Sequence, residues 1–477
     1  MVFRSLRLFI LLSSAFLASC VSYQDNLPLD EFKPDEGYRF DVLENINGGE
    51  NTDSLFVIVS LSGGGTRAAA LAYGVMEQLH NTRITWKGKE KSLLDEVDII
   101  SSVSGGSFTS AYYGLFRDAM FNGSYEKAFL KHDVQGDLIW RLVNPLNWLK
   151  LASPSFGRSD LANEYYQQQI FGLKTFADLQ KNGKPFIMIN GTDMTTGAQF
   201  PIIQDQFDLL CSDLSQYPVS RAVTTSSAFP GLLTPLTYNN YAGSCDYKEP
   251  DWVTKGLNDM DVNPERSRFV DDRRSYYAPG DFREKRDYVH MMDGGVADNI
   301  GLRSIIFGLE NTGPDYSILR KINNKEIEKL VLIIVNAGTN PANDLDKSPS
   351  VPGFITAIVT SATVPLENYT FDTIARATNA IDTFNEDVKM LDECNAILKK
   401  QCPEAGPAGG GLTRIDSFIS DVSFDHIKDP AQRFWFKNLP TNFYLPPETI
   451  DKLTDAGMDL LKQSKAYQDL LAEIGIR

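Results

Sequence analysis

Two apolar patterns alternate along the first two thirds of the chain. Short continuous runs at Leu55–Val59, Val97–Ile100, Phe186–Ile189, Val289–Met292 and Leu330–Val335 are the pattern of strands buried on both faces of a parallel sheet. Stretches of helical character lie between several of them: Ala68–Met76 follows the first run, and another, through Tyr112 and Phe116, follows the second. Strand and helix in alternation predict an α/β protein with a mostly parallel sheet covered on both faces. From about Pro352 the period changes. Phe371, Ile374, Ile381, Phe384, Val388 and Leu391 recur at three-, four- and seven-residue spacing, which predicts helix. A Gly- and Pro-rich patch at 403–411 interrupts this pattern before a second helical pattern over 447–475. Residues 246–288, dense in Asp, Arg, Lys and Tyr with almost no apolar run, read as a surface insertion. Residues 20–53, polar and punctuated by Pro28, Pro34, Gly37, Gly48 and Gly49, read as a tether leading to the folded body.

Composition narrows the class. The 477 residues are 42% apolar and 23% charged, which excludes a wholly disordered, collagen-like or coiled-coil chain. A balance of 46 basic against 62 acidic residues, a net charge of −16, argues against nucleic acid as a partner and against membrane docking through a basic surface. The N-terminus carries Arg4 and Arg7, then an apolar run from Leu8 to Leu17, then Ala18-Ser19-Cys20. The run is too short to cross a bilayer stably and reads as an export signal. Its ending resembles a bacterial lipobox. That resemblance implies a signal peptide over 1–19 and lipid modification of Cys20, whose several acyl chains would anchor the protein where one chain binds only marginally. Val21 is not the aspartate that retains such proteins at an inner membrane, so the expected location is the outer membrane of the cell envelope, facing the periplasm. Export makes disulfides possible among Cys211, Cys245, Cys394 and Cys402; three pairings exist, and proximity favours Cys211–Cys245 and Cys394–Cys402. No CxxC or His-rich cluster marks a metal site.

Three segments carry candidate chemistry. Ser104, in Ile99-Ile100-Ser101-Ser102-Val103-Ser104-Gly105-Gly106-Ser107, stands at a predicted strand-to-helix junction, the place of a nucleophile elbow. Small neighbours two residues away are needed because the chain turns so sharply; here they are Ser102 and Gly106, with serine where glycine is usual. Ser107 has Gly105 two residues before it but falls inside the predicted helix. Gly63, Gly64 and Gly65, in Ser62-Gly63-Gly64-Gly65-Thr66-Arg67 directly after the first strand, present backbone N–H groups at a helix start, as a developing oxyanion needs. Neither a P-loop ending nor a Gly-x-Gly-x-x-Gly fingerprint is present, which excludes a nucleotide site of those types. Arg67 could hold that loop or bind an anionic headgroup. Asp293, followed by Gly294-Gly295, ends an apolar run at an edge of the sheet where a crevice forms.

Taken together these segments resemble the patatin-like phospholipases, with a Gly-Gly-Gly-x-Arg loop, a serine elbow and an Asp-Gly-Gly motif in the family's order. Asn190-Gly191-Thr192-Asp193 and Thr225-Ser226-Ser227-Ala228-Phe229-Pro230 are similar to two further family segments. The resemblance implies a three-layer α/β/α hydrolase fold over 54–340, with a mainly helical C-terminal region, 341–477, packed on it. It implies a Ser104–Asp293 dyad that cleaves fatty-acyl esters of phospholipids or related lipids without metal or other cofactor, with Gly63, Gly64 and Gly65 as the oxyanion hole. Gly301 stands where the family often has proline. A Ser-His-Asp triad built on one of His80, His132, His290 or His426 is the chemical alternative. A lipid-binding lipoprotein without turnover is the alternative of another class.

Overall fold

The computed structural model describes residues 26–44, 46, 51–278, 284–310, 318–339, 349–351, 353–404, 406, 408 and 414–475. Cys20 and the expected signal peptide lie outside them. An eight-stranded sheet forms the centre. Its strands are β1 (Leu55–Leu61), β2 (Val97–Val103), β3 (Phe186–Asp193), β4 (Gln199–Ile202), β5 (Leu236–Asn239), β6 (Tyr288–Asp293), β7 (Lys329–Asn336) and β8 (Asp416–Ser423). They are ordered β8-β7-β1-β2-β3-β6-β5, with β4 paired to β3. The first five in that order are parallel, whereas β6 runs antiparallel to both β3 and β5. Every residue of β1 and β2 is buried, which is why both appear in the sequence as unbroken runs.

Helices α1 (Gly65–Asn81) and α2 (Gly105–Phe116) follow β1 and β2 and cover one face, where Gly114 leaves room for Ile187 of β3. On the other face Phe40 packs edge-on against Phe56 and Phe186. The helix Arg303–Glu310 and a long helix, here numbered in chain order after α3 (Val134–Val143) and α4 (Pro145–Leu151) as α5 (Phe354–Gln401), lie there too. Together with the helix Pro264–Arg274 they enclose a cavity of about 630 Å3. The described residues of the insertion 246–288 form two helices, Asp251–Leu257 and Pro264–Arg274, with a small apolar centre of Trp252, Val253 and Val270.

Two expectations need correction and a third gains a detail. The stretch read as a tether is laced to the body from its first described residue. Asn26 donates to Ser212 Oγ and to the Asn239 carbonyl, each at 2.9 Å, Leu27–Pro28 pair with Ser212–Asp213, and the buried Tyr38 hydroxyl accepts from Ile187 N–H at 2.8 Å. The C-terminal region is mainly helical and also carries one strand. Asp416–Ser423 adds β8 to the sheet in parallel with β7; its half-polar alternation is that of an edge strand and differs from the apolar runs of β1, β2, β3, β6 and β7. Cys211–Cys245 form a disulfide, but Cys394 and Cys402 are free and exposed. Those two are separated along the end of α5, where eight residues rise about 12 Å, beyond disulfide reach.

Helix α6 (Pro447–Gln463) lies on α1 at backbone contact. A Cβ on Gly74 would stand 2.0 Å from the Thr454 carbonyl oxygen, and one on Gly457 would stand 2.4 Å from that of Leu71. The paired glycines let the two helices approach with no side chain between them. The residues after 340 are therefore built into the sheet and its outer helical layer.

Candidate active site

The turn after β2 places Ser104 at φ 50°, ψ −117°, a left-handed conformation that costs a non-glycine residue of order 1–3 kcal/mol. The surrounding contacts hold it there. Ser104 N–H donates to Ser226 Oγ at 2.9 Å, and that hydroxyl donates to the Asn190 carbonyl at 2.6 Å. Behind the turn Gly105 meets the glycine loop backbone to backbone: a Cβ there would stand 2.1 Å from the Gly65 carbonyl oxygen. Ser102, the departure from the usual glycine, is fully buried with its hydroxyl 2.6 Å from Ser110 Oγ and 3.2 Å from the Met188 carbonyl. Its polarity is satisfied, so the elbow forms with serine at that position.

Asp293 reaches the elbow from β6. Because that strand is antiparallel to β3 and pairs Asp293 with Gly191, its last residue arrives one position beyond the Val103–Asn190 pair of β2 and β3, level with Ser104. Ser104 Oγ donates to Asp293 Oδ2 at 2.9 Å. Asp293 Oδ1 accepts from Gly295 N–H at 2.8 Å, and the Asp293 carbonyl accepts from Thr192 Oγ1 at 2.8 Å. Only 4% of Asp293 is exposed. Burial pushes its carboxyl up to about 7, against the smaller downward pulls of the Gly295 N–H and the Ser104 hydroxyl. A carboxylate of that basicity, hydrogen bonded to a strained serine, can take up its proton near neutral pH.

The glycine loop is divided in use. Gly63 N–H donates to the Asn299 carbonyl at 3.0 Å, which removes it from the expected set of oxyanion donors. Its missing side chain instead makes room for Ser104 Cβ, 3.2 Å from where its own Cβ would be. Gly64 and Gly65, at φ 139° and 61°, sit at the cap and first position of α1, where N–H groups have no acceptor within the helix. Arg67, expected as an anion ligand, is buried with 3% exposure. Its guanidinium donates to the carbonyls of Ala337 and Leu439 at 3.0 and 2.8 Å, and burial lowers it to about 10. Of its two sequence-level roles, this is the loop-holding one.

None of the four histidines is bonded to Ser104. His132 and His426 pair with Asp137 and Asp421, His80 stacks on Phe121, and His290 meets Thr237 at 3.0 Å. Among the described residues no acid, His or Cys cluster could hold a metal ion.

Residues 59–306 match the family described as Patatin-like phospholipase, more than half of the chain. The chain belongs to the patatin-like phospholipase family. Comparison with the curated proteins found no match. Among solved structures, VipD from Legionella pneumophila is 11% identical with a TM-score of 0.30, over 91% of this chain and 73% of that one. Human GIVD cytosolic phospholipase A2 in complex with methyl gamma-linolenyl fluorophosphonate is 9% identical with a TM-score of 0.38, over 91% of this chain and 61% of that one.

This patatin-like site also depends on residues given no role from the sequence. Ser226 positions the elbow, and Ser107, once a rival nucleophile, is buried beside it with Oγ 2.9 Å from Ser226 Oγ. Asn442 accepts Thr66 N–H at 2.9 Å and lies against Gly65, where a Cβ would stand 2.2 Å from its carbonyl oxygen. Ser226 lies in a segment that resembles one of the family's; nothing local to Asn442 marks it. Gly301, the departure from proline, has φ 76°, which proline cannot adopt.

Proposed function

We propose that this patatin-like protein is a serine acyl hydrolase that cleaves fatty-acyl esters of phospholipids or related lipids through Ser104 and Asp293. The 2.9 Å bond between Ser104 Oγ and the buried Asp293 carboxylate is the observation that supports this most. In the proposed reaction Ser104 Oγ attacks the acyl carbonyl while its proton passes to Asp293. The N–H groups of Gly64 and Gly65 receive the oxyanion, a contribution of about 3–4 kcal/mol per donor in comparable sites. Collapse breaks the ester bond, the leaving alcohol takes the proton from Asp293, and the acyl group stays on Ser104. Water, deprotonated by Asp293, then releases the fatty acid and restores the serine. Lipidation at Cys20 and residence at the outer membrane, facing the periplasm, belong to the same proposal and would hold the enzyme beside its substrate.

Labelling with a fluorophosphonate serine probe tests the chemistry. The protein is expected to label, Ser104→Ala to lose the label and Ser107→Ala to keep it. A folded protein that remains unlabelled, alone and on vesicles, would overturn the reading in favour of a lipid-binding protein without turnover.

A further inference from the structure

From Ile139 on, helices α3 and α4 carry their amphipathy inside out; before it Val134 is buried and Leu138 packs on the core. A helix on a globular protein turns its apolar stripe inward; here the polar side chains face the body. Arg141 donates to Gln168 at 2.6 Å, Lys150 to Glu164 at 2.8 Å, and Asp137 accepts from Tyr165 at 2.9 Å. Ile139, Trp140, Val143, Leu146, Trp148 and Leu149 face outward, with Trp140 67%, Leu146 77% and Trp148 58% exposed. So many large apolar side chains exposed within eleven residues mark an interaction surface.

The hairpin also braces both flanks of the active site. At its start Gln135 exchanges hydrogen bonds with Phe443, N–H to carbonyl at 3.3 Å and N–H to Oε1 at 3.2 Å, next to the Asn442 that lies on the glycine loop. Just past its end Ser159 N–H donates to Thr234 Oγ1 at 3.2 Å. Thr234 belongs to the segment after Ala228, whose carbonyl accepts Asp293 N–H at 3.0 Å.

We propose that the outward face of α3 and α4 docks on a lipid bilayer and sets the mouth of the active site against it; the choice of a bilayer as occupant rests on the proposed lipid hydrolase reading and on Cys20 as the anchor. Helices of ten and seven residues reach about 15 and 10 Å, too short to cross a hydrocarbon core of about 30 Å, so they lie in the interface, where tryptophans sit well. From Leu138 to Ser159 the chain has no acidic residue, so this surface escapes the repulsion that the net charge of −16 would bring at an anionic membrane. The described chain begins on the same flank. Cys20 is six residues before Asn26, a reach of at most about 21 Å, and Asn26 is fastened to Asn239, at the end of the strand that begins two residues beyond Thr234.

Brominated-phosphatidylcholine quenching of tryptophan fluorescence tests the docking in the full-length lipidated protein on vesicles, in a Ser104→Ala background so that no turnover is needed. Shallowly brominated lipid is expected to quench the protein, and Trp140→Phe and Trp148→Phe each to remove part of the quenching. Quenching that both variants leave unchanged overturns the proposal, as does a protein that self-associates through this face while its tryptophans stay unquenched. In the active protein, Ile139→Ser/Leu146→Ser/Leu149→Ser is expected to lower the ratio of vesicle to soluble-ester turnover at least tenfold. An unchanged ratio overturns docking, whereas a folded protein without the three substitutions that the serine probe leaves unlabelled overturns the hydrolase reading alone.

Discussion

Ser104 and Asp293 sit 189 positions apart in sequence and share one hydrogen bond whose environment sets the pH behaviour. With its carboxyl at about 7, Asp293 can serve as the proposed base only when ionised, so kcat/KM is expected to rise through pH 7 and level off above it. The stability consequence has the opposite sign. A carboxyl raised in the folded state binds its proton more tightly there than in the unfolded chain, so stability falls as pH climbs from about 4 towards 7. The rise from 3.8 to about 7 corresponds to about 4 kcal/mol at most. Asp293→Asn is therefore expected to lower turnover at least a hundredfold while raising Tm at pH 8, with no gain at pH 4. A variant that loses activity without that pH-dependent gain would show that the carboxyl is not held high. Ser104 and Asp293, which the structure brings into hydrogen bond, could be named as candidates from the sequence because each lies in a short motif whose local geometry dictates its residues. The roles of Arg67 and Gly63 could not, because the carbonyls they meet belong to Ala337, Leu439 and Asn299.

At the scale of elements, the buried strands were legible and the edge was not. β1 and β2 need apolar residues on both faces; β8, at the margin of the sheet, needs them on one, and its Asp416, Ser417, Ser420 and Asp421 hide a period of two. The crossing of α1 and α6 was equally hidden, since a glycine inside a helical pattern looks merely tolerated. Gly74→Val would drive a side chain into the Thr454 carbonyl oxygen 2.0 Å from the Cβ position. It is expected to destabilise the protein by at least about 2 kcal/mol, seen as a lower Tm in thermal unfolding. The fraction that remains folded should still label at Ser104.

For the molecule as a whole, the C-terminal quarter belongs to the catalytic body. Leu445, Ile450, Leu453 and Leu461 are buried in the same apolar core as Val57 and Ile333, and Leu439 and Asn442 hold the glycine loop. The aromatic segments Phe434-Trp435-Phe436 and Phe443-Tyr444-Leu445 divide: Phe436 and Leu445 are buried and Phe443 packs 5.7 Å from Phe108, while Phe434 is 64% exposed. Deleting Asn442–Arg477 is expected to prevent cooperative folding, measured by loss of the thermal transition and by protease sensitivity. A truncated chain that melts cooperatively and keeps its serine label would contradict this placement. Acidity spread over the whole chain excluded a basic docking surface, yet it said nothing of how apolar side chains distribute. The outward face of α3 and α4 became visible only once the body they lean on was in place.

Sequence alone determined the strand–helix alternation, the order of the motifs and the candidate pair Ser104 and Asp293. These follow from local requirements: apolar side chains for buried strands, small residues for a sharp turn, a carboxylate at a strand end. Tertiary structure decided what depends on partners distant in the chain. It turned β6 antiparallel to bring Asp293 level with Ser104, assigned the Gly63 N–H to Asn299, buried Arg67, bound residues 26–44 to the body and carried the chain after 340 back into the sheet. A residue's type limits which contacts it can make, and folding chooses among them.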